Sequence, residues 1–360
     1  MALIPTVLAI AIFLVFPFGQ LLRLSLFGIN FPLIDTLIPL LAFSNIGYLY
    51  FNKKLLISNR YLLYFSLWAI ILLIFHSLIS GFSPSAFFYL IRLIALLSFI
   101  IFPPVYLFSL RPLNHLIFIA LITSVIFGLI QYLFWPDFTY FDAFNWDPHL
   151  YRLVGSFFDP TFTALIYLVF LIYLFFQKRT FSNRFLMALV YLSLALTYSR
   201  STYLAFIIAF SYLSIHLKKP KIFLVSFIIV LAAVLILPRQ PGEGTKLERT
   251  SSIRAKIENY RQGIKLYSQS PLIGIGYNRL PQVRADLPSD SHAIAGFDSS
   301  LLTILITTGP LGLFLFSLGI LKYLKQSSLL KKTIFVALLV HSLFANSLLY
   351  PWIFLISIFI

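Results

Sequence analysis

The chain of 360 residues is too apolar for a soluble domain, since 60% of its residues are hydrophobic and its mean hydropathy is +0.95, against about 45 to 50% apolar residues in soluble proteins. It is strongly basic, with 27 lysines and arginines, 11 acidic residues and a net charge of +16. The lack of cysteine excludes disulfides, thiolate metal sites and a cysteine nucleophile.

Apolar segments of roughly the length that crosses about 30 Å of hydrocarbon as a helix recur along the chain. Eleven spans are predicted. A twelfth apolar segment from Pro351 to Ile360 is either a span that crosses only part of the membrane or the first part of a full span that would continue beyond Ile360. This pattern predicts an all-α fold, with residues 1–360 forming one polytopic membrane domain of 11 to 12 transmembrane helices. The eleven predicted spans lie near residues 3–18, 31–51, 61–80, 86–109, 113–135, 160–177, 185–199, 201–217, 221–237, 298–321 and 333–346.

The cations identify the cytoplasmic side, because short cytoplasmic loops of membrane proteins are enriched in lysine and arginine. With the N-terminus inside, these loops carry cations and no acidic residue, whereas the acidic residues fall on the exoplasmic side, with Asp35 one turn inside the second span. Membrane anchoring therefore explains the net charge, the lipid bilayer is the expected environment, and no nucleic acid is expected as a partner. The cytoplasmic cations are Lys53, Lys54, Arg60, Arg111, Lys178, Arg179, Arg184, Lys218, Lys219, Lys221, Lys322, Lys325, Lys331 and Lys332.

Two predicted exoplasmic segments, residues 136–159 and 238–297, are long enough to hold structure. In the first, Tyr140, Phe141, Phe144, Trp146 and Tyr151 form an aromatic group that could stack on sugar rings. In the second, apolar residues recur at spacings of four and three, which predicts an amphipathic helix near residues 251–268. Any chemistry is expected in these two segments.

A cationic row follows another face of the predicted amphipathic helix. Arg254, Arg261 and Lys265 recur with Glu258 at helical spacing. Such a helix is expected in the membrane interface with its charged row exposed. The row could contact lipid headgroups or guide a polyanionic substrate.

Three further arginines are expected on or near the same membrane surface. Arg152 precedes the sixth span, Arg200 occupies the turn between the seventh and eighth spans, and Arg92 lies about two turns inside the fourth span. A charge at that depth costs about 2.5 to 3.5 kcal/mol, which makes Arg92 a candidate for function, with an ion pair to Asp35 as the alternative. Because arginine donates two parallel hydrogen bonds to phosphate, these side chains predict a site for a membrane-bound diphosphate.

Four segments in order resemble the O-antigen ligase and polymerase superfamily. They are Arg152-Leu-Val-Gly-Ser-Phe-Phe-Asp-Pro, Leu196-Thr-Tyr-Ser-Arg-Ser-Thr-Tyr-Leu, the stretch from Arg254 to Asn278, and the stretch from Asp298 to Gly312. The resemblance covers about residues 120–350 and implies a GT-C-like helical fold in a bacterial cytoplasmic (inner) membrane. It also implies transfer of a glycan from undecaprenyl diphosphate on the exoplasmic side, with inversion and without a metal or other cofactor.

The resemblance implies that the diphosphate or glycan is bound by Arg152, Arg200, Arg254 and Arg261. Arg92 and Lys265 are further candidates for substrate binding, Arg92 from its depth in the membrane and Lys265 from its place on the cationic row. Ligases of the superfamily typically carry a His-Asn pair about eleven residues before the glycine that here is Gly309. This chain has Asp298-Ser299 instead, which favours a polysaccharide polymerase over a ligase. The implied partner is an undecaprenyl-diphosphate-linked oligosaccharide, and a chain-length regulator is a further candidate.

The attacking sugar hydroxyl needs a base or an orienting acceptor opposite the departing diphosphate. Asp298, at the start of the tenth span, and His292, six residues earlier, are the predicted catalytic residues. Asp290 and Asp159 are reserves, and Asp159 is also placed to cap the sixth span, which begins with Pro160.

Two other functional classes remain open. A transporter of lipid-linked sugars or polyanions would also use buried arginines, but alternating access needs polar groups at the midplane and on both sides, and the cytoplasmic half is apolar apart from its anchors. A non-catalytic partner in a polysaccharide export complex would keep the fold without the chemistry.

Overall fold

The computed structural model describes residues 2–26, 29–144, 146–238, 240–284 and 296–360. About 75% of it is helical, which agrees with the predicted all-α polytopic class. The α-helices in these residues are α1 (Leu3–Val15), α2 (Ile34–Phe51), α3 (Arg60–Ser80), α4 (Pro84–Ile101), α5 (Val105–Phe108), α6 (Arg111–Phe134), α7 (Pro160–Phe175), α8 (Phe181–Ala195), α9 (Arg200–Leu217), α10 (Pro220–Ile236), α11 (Ser251–Tyr267), α12 (Leu280–Val283), α13 (Ser300–Gln326), α14 (Leu329–His341) and α15 (Pro351–Phe359).

Among the described residues, six helices are long and apolar enough to cross a membrane. They are α1 with the 3-10 turn that follows it, α2, α3, α4, α6 and α13. Three shorter apolar helices, α7, α8 and α10, run for 15 to 17 residues. A helix therefore lies at every predicted span, and the count of eleven to twelve complete crossings stays a prediction.

Two small antiparallel hairpins interrupt the helical pattern and were not expected from the sequence. Strands β1 (Arg23–Leu26) and β2 (Ile29–Pro32) pair between α1 and α2. Strands β3 (Asp137–Phe138) and β4 (His149–Leu150) pair between α6 and α7. Strands of two to four residues are too short to produce a detectable alternation of apolar and polar residues.

The centre of the bundle is formed by short helices that are apolar on every side. In α15 all nine residues are buried, and in α7 twelve of sixteen are buried. A helix without a polar face is expected to be surrounded by other helices, and both pack against neighbours within the bundle, α15 against α4 and α7. Nine residues make about 14 Å of helix at 1.5 Å per residue, so the nine buried residues of α15 cover less than half of the hydrocarbon thickness.

The segment around Leu272 and Ile273 packs against α13 at a kink in this helix. Gly309 has φ of +70° inside the helix, and a Cβ added there would lie 2.3 Å from the Leu272 carbonyl oxygen. Gly274, with φ of +69°, approaches the Ile306 carbonyl oxygen equally closely, at 2.5 Å from its added Cβ. Only glycine allows both the left-handed backbone and the contact.

The long loops gather at one end of the bundle, which is called the loop face below. It consists of the two hairpins, residues 136–159, residues 240–284 and the starts of the helices that follow these segments. Leu153 N–H donates to the Leu196 carbonyl, and Asp298 N–H donates to the Asn259 side chain. These bonds bring together segments that lie far apart in sequence.

Candidate functional site

A cavity of about 650 Å³ opens on the loop face. Four helices begin at it, because residues from the first turns of α2 and α7, from the start of α13 and from the start of α15 line its wall. The middle of α11 and the third turn of α4 complete the lining. Its polar residues include Gln20, Arg23, Asn30, Asp35, Tyr89, Arg92, Asp147, Asp159, Lys256, Asn259, Asn278, Asp298 and Tyr350.

The helix starts favour a negatively charged ligand, because the first N–H groups of a helix have no partner within it and carry partial positive charge. At α7 this charge is already satisfied, since Asp159 accepts from the N–H groups of Thr161 and Phe162 at 2.6 and 3.0 Å. At α13 the Ser299 hydroxyl performs the same role. The start of α15, at Tyr350, has no side-chain cap and faces the cavity.

The cavity holds three cations and four carboxylates, and most of them are paired. Arg92 Nη1 lies 2.7 Å from Asp35 Oδ2, and Lys256 Nζ lies 3.5 Å from Asp298 Oδ2. Asp159 serves as the cap of α7. Two charges remain outside these pairs, the guanidinium of Arg23 and the carboxylate of Asp147.

Arg23 is held at the rim by neutral partners. Its Nη1 donates to Gln20 Oε1 at 2.7 Å and its Nη2 to the Asn30 carbonyl at 3.0 Å. Its Cζ lies 5.5 Å from the centre of the Trp146 ring. Because these partners are neutral, none of them cancels the positive charge of Arg23.

Two of the cavity carboxylates, Asp147 and Asp159, lie where burial disfavours their charged form. Burial and the neighbouring charge of Asp298 raise the pKa of Asp147, and Arg152 only partly offsets this. Burial also raises the pKa of Asp159, although the backbone N–H groups of α7 lower it. Acidic groups gathered in this way are common at sites that bind and orient a substrate.

An aromatic wall extends outward from the cavity. It consists of Trp146 and Phe158, which line the cavity, and of Phe141 and Tyr140 beyond them. The ring centres of Trp146 and Phe158 are 5.3 Å apart, those of Phe158 and Phe141 4.9 Å, and those of Phe141 and Tyr140 4.9 Å. Tyr140 is 54% exposed. The wall gives the cavity mouth a row of flat apolar surfaces.

The structure brings two of the predicted site residues into this cavity, Arg92 and Asp298. Arg92 forms the ion pair with Asp35 that was its predicted alternative, and it faces the cavity as well. His292 and the reserve Asp290 lie outside the described residues. Asp159 both caps α7 and lines the cavity.

Arg152 and Arg200 do not line the cavity, which corrects the expectation that the arginines converge in one pocket. The buried Arg152 donates through Nε to the Thr197 carbonyl at 2.9 Å. Arg200 donates through Nη1 to the carbonyls of Leu247 and Arg249 at 3.1 and 2.7 Å. Both guanidinium groups therefore donate hydrogen bonds to nearby backbone carbonyls and do not point into the cavity.

With Arg249, these two residues form a cluster that we call the arginine clamp. Arg249 Nη1 donates to the Gly244 carbonyl at 2.7 Å. Burial and the charge of Arg249 lower the pKa of Arg152 to about 10. The clamp holds the turn over residues 240–250 against the start of α9.

Arg254, Arg261 and Lys265 lie on the outer face of α11, away from the cavity, and are exposed. Arg261 makes a loose surface pair with Glu258, at 3.7 Å. The observed bounds of α11 agree with the predicted residues 251–268, and its interfacial position stays a prediction. A substrate role for the row stays a prediction.

Sequence reasoning missed Lys256, Arg23 and Asp147. A signal for Lys256 is present in the sequence. Ser252, Lys256, Asn259 and Gly263 recur at spacings of four, three and four, so they share the face of α11 that packs on the protein. Arg23 is the first residue of β1 and Asp147 lies in the connection between β3 and β4, where no periodicity points to them.

No group of three or more histidine, aspartate or glutamate side chains in the described parts of the chain could hold a metal ion. Of the four cavity carboxylates, Asp35, Asp159 and Asp298 each have a partner of their own. Residues 285–295, which contain two aspartates and a histidine, lie outside the described residues.

Comparison with known families identifies the segment from α8 to beyond the kink of α13. Residues 185–317 match the family Wzy_C, described as O-antigen ligase. This match confirms the resemblance to the O-antigen ligase and polymerase superfamily. A search of the curated proteins finds no match.

Proposed function

We propose that this protein is an inverting glycosyltransferase that polymerises undecaprenyl-diphosphate-linked oligosaccharides on the exoplasmic side of a bacterial cytoplasmic membrane. The observation that carries the proposal is the cavity in which Asp298, Lys256, Arg92 and the uncapped start of α15 meet. It combines an acceptor for a proton with groups that stabilise negative charge. Its place beside an O-antigen ligase segment supports the same reading.

The reaction is one displacement at the anomeric carbon of the donor. The acceptor hydroxyl attacks opposite the diphosphate, a new carbon–oxygen bond forms, and the bond between carbon and the diphosphate oxygen breaks with its electron pair. A single displacement inverts the configuration. The hydroxyl proton goes to the Asp298 carboxylate, which acts as the base.

Electrostatic stabilisation of the departing diphosphate supplies the larger part of the rate. Arg92 offers a planar fork to phosphate oxygens, and the N–H groups at the start of α15 add partial positive charge. Lys256 holds the Asp298 carboxylate at 3.5 Å and keeps it turned toward the cavity. In this scheme no residue other than Asp298 needs to change its protonation state.

A ligase that transfers the glycan to lipid A-core or another acceptor is the second candidate. The matched family is described as O-antigen ligase, which favours it. Against it, Asp298-Ser299 stands where ligases of the superfamily typically carry His-Asn. The Asp298 carboxylate lines the cavity, which supports its proposed role as the proton acceptor.

The two candidates differ in what they accept. Purified protein in lipid nanodiscs is given only lipid-linked repeat units, and the products are separated by gel. A ladder of lengthened chains supports the polymerase. Product that forms only after a second, different acceptor is added supports the ligase. If neither mixture yields a glycosidic product and Asp298→Asn behaves as the native protein does, the transferase proposal is wrong.

A further inference from the structure

A second, smaller cavity of about 280 Å³ lies between α2 and α4 and is mostly apolar. Pro39 and Leu40 on α2 and Phe88 and Ile91 on α4 form its walls. Leu40 is 50% exposed and Phe88 41% exposed on the side of the bundle. Both helices are long and apolar enough to cross a membrane. The groove therefore opens sideways, toward the hydrocarbon of the bilayer.

This groove is continuous with the polar cavity. Both are lined by the same five residues, Asn30, Phe31, Asp35, Tyr89 and Arg92. A path runs from the lipid, between α2 and α4, into the wall of the polar cavity. The Asp35–Arg92 ion pair stands where the two compartments meet.

Only one of the two carboxylate oxygens of Asp35 accepts a hydrogen bond among the described residues. Asp35 Oδ2 accepts from Arg92 Nη1 at 2.7 Å, but the buried Asp35 Oδ1 has no hydrogen-bond partner in the described part of the chain. The Arg92 guanidinium has five N–H donors and lies over the Tyr89 ring, with its Cζ 4.4 Å from the ring centre. A guanidinium at the boundary between an apolar groove and a polar cavity is placed to meet the headgroup of an amphipathic ligand.

We propose that the lipid-linked donor enters sideways between α2 and α4, so that part of its prenyl tail occupies the groove and its diphosphate lies beside Arg92. The inference rests on the proposed function and names the orientation of the donor in that site. The groove is a single crevice between two helices, so it takes one hydrocarbon chain. A prenyl diphosphate has one chain attached directly to its phosphates, whereas a phospholipid has two.

The test uses a polyprenyl diphosphate without a glycan, carrying a photoreactive group in its tail, and native protein in nanodiscs. After illumination we expect labelled peptides from residues 34–51 and 84–101. Leu40→Trp and Ser85→Trp fill the groove without touching the lining of the polar cavity, and each should reduce this labelling at least about fivefold. Phe43→Trp, on α2 at a site that is 81% exposed and outside the groove, is the control that keeps the labelling.

Labelling of other helices, labelling unaffected by both groove variants, or equal competition by a phospholipid overturns the inference. Two groove variants are used so that one that fails to fold, as judged by size-exclusion profile and melting, does not decide the result. The variants should also raise the KM of a long-tailed donor about tenfold more than that of a donor with two isoprene units.

The outcomes separate the groove from the proposed function. If native protein is labelled in α2 and α4 but forms no glycosidic product, the groove stands and the transferase proposal fails. If it forms product but is labelled elsewhere, only the groove fails.

Discussion

Lys256 on α11 pairs with Asp298 at the start of α13, with 3.5 Å between Nζ and Oδ2. The pair connects a helix whose outer face is exposed and charged to the wall of the main cavity. One helix therefore presents a row of cations to the surroundings and a single lysine to the proposed site.

The carboxylate of Asp298 is the first target. We expect Asp298→Asn to lower kcat about a hundredfold or more, since general-base catalysis contributes about 10² to 10⁴, and to leave the affinity for the lipid diphosphate within about twofold. Single-turnover kinetics and donor binding, measured on the same preparation, check this. A native kcat in Asp298→Asn would remove the residue from the mechanism and direct attention to His292.

The Asp35–Arg92 pair predicts a non-additive effect on stability. Removing one partner of a buried pair costs about 3 to 5 kcal/mol, because a charge is left without compensation. We therefore expect Asp35→Leu and Arg92→Leu each to lower the melting temperature, and the double variant to melt close to the native protein. The double variant should still lose binding of prenyl diphosphate. Additive losses of stability would show that the pair does not act as a unit.

Arg200 is predicted to act through the loop it holds. Arg200→Ala loses the hydrogen bonds to the Leu247 and Arg249 carbonyls, and hydrogen bonds to charged groups contribute about 1.5 to 3 kcal/mol each. We expect faster proteolysis within residues 240–250, with Arg254→Ala as the control that cleaves at the native rate. An unchanged cleavage pattern together with lost diphosphate binding would instead indicate direct contact with the substrate.

His149 makes the loop face sensitive to acid. Burial, with the charges of Arg152 and Arg249, lowers the pKa of His149 to about 3, below its ordinary value of 6.5. The unfolded chain therefore binds the proton first, and stability present above pH 6.5 is lost as the pH falls toward 3, by up to about 1.4 kcal/mol per pH unit.

The melting temperature of the native protein should consequently fall more steeply between pH 7 and pH 5 than that of His149→Phe. Parallel slopes for the two proteins would mean that His149 takes up a proton in the folded state.

The aromatic wall is expected to bind sugar rings. Trp146→Ala should raise the KM for acceptor glycans several-fold, because its ring lines the cavity and offers a flat apolar surface to a sugar ring. Trp135→Ala is the matched control, since Trp135 is 60% exposed and does not line the cavity. Equal effects of the two substitutions would assign Trp146 to membrane anchoring.

Local signals in the sequence predicted the elements that depend on local interactions. The apolar spacing from Ile253 to Tyr267 corresponds to α11, and Asp159 caps α7 as its place before Pro160 indicated. The orientation of α11 was harder to predict. Ile253, Ile257 and Ile264 are 47 to 58% exposed, so the apolar stripe does not face the protein core. That lipid covers the stripe stays a prediction.

The composition of the site depended on contacts between distant segments. Sidedness placed Arg152 and Arg200 at the correct end of the bundle, but it could not show that loop carbonyls engage both guanidinium groups. The ion pair of Arg92 with Asp35 was predicted as one alternative, from the positions of the two residues within the fourth and second spans. Lys256 and Asp147 reach the cavity only through the packing of α11 and of the second hairpin, which no local pattern encodes.

The close approaches of Gly274 to the backbone of α13 and of Gly309 to the backbone at Leu272 have a mechanical consequence. The two backbones touch with no side chain between them, and Ile275 N–H donates to the Ile306 carbonyl at 2.9 Å. The first half of α13 and the Ser270–Asn278 segment are therefore held together by direct backbone contacts. Tyr277 and Asn278, which line the main cavity, are therefore coupled through the backbone to the first half of α13, which lines the same cavity at Thr303.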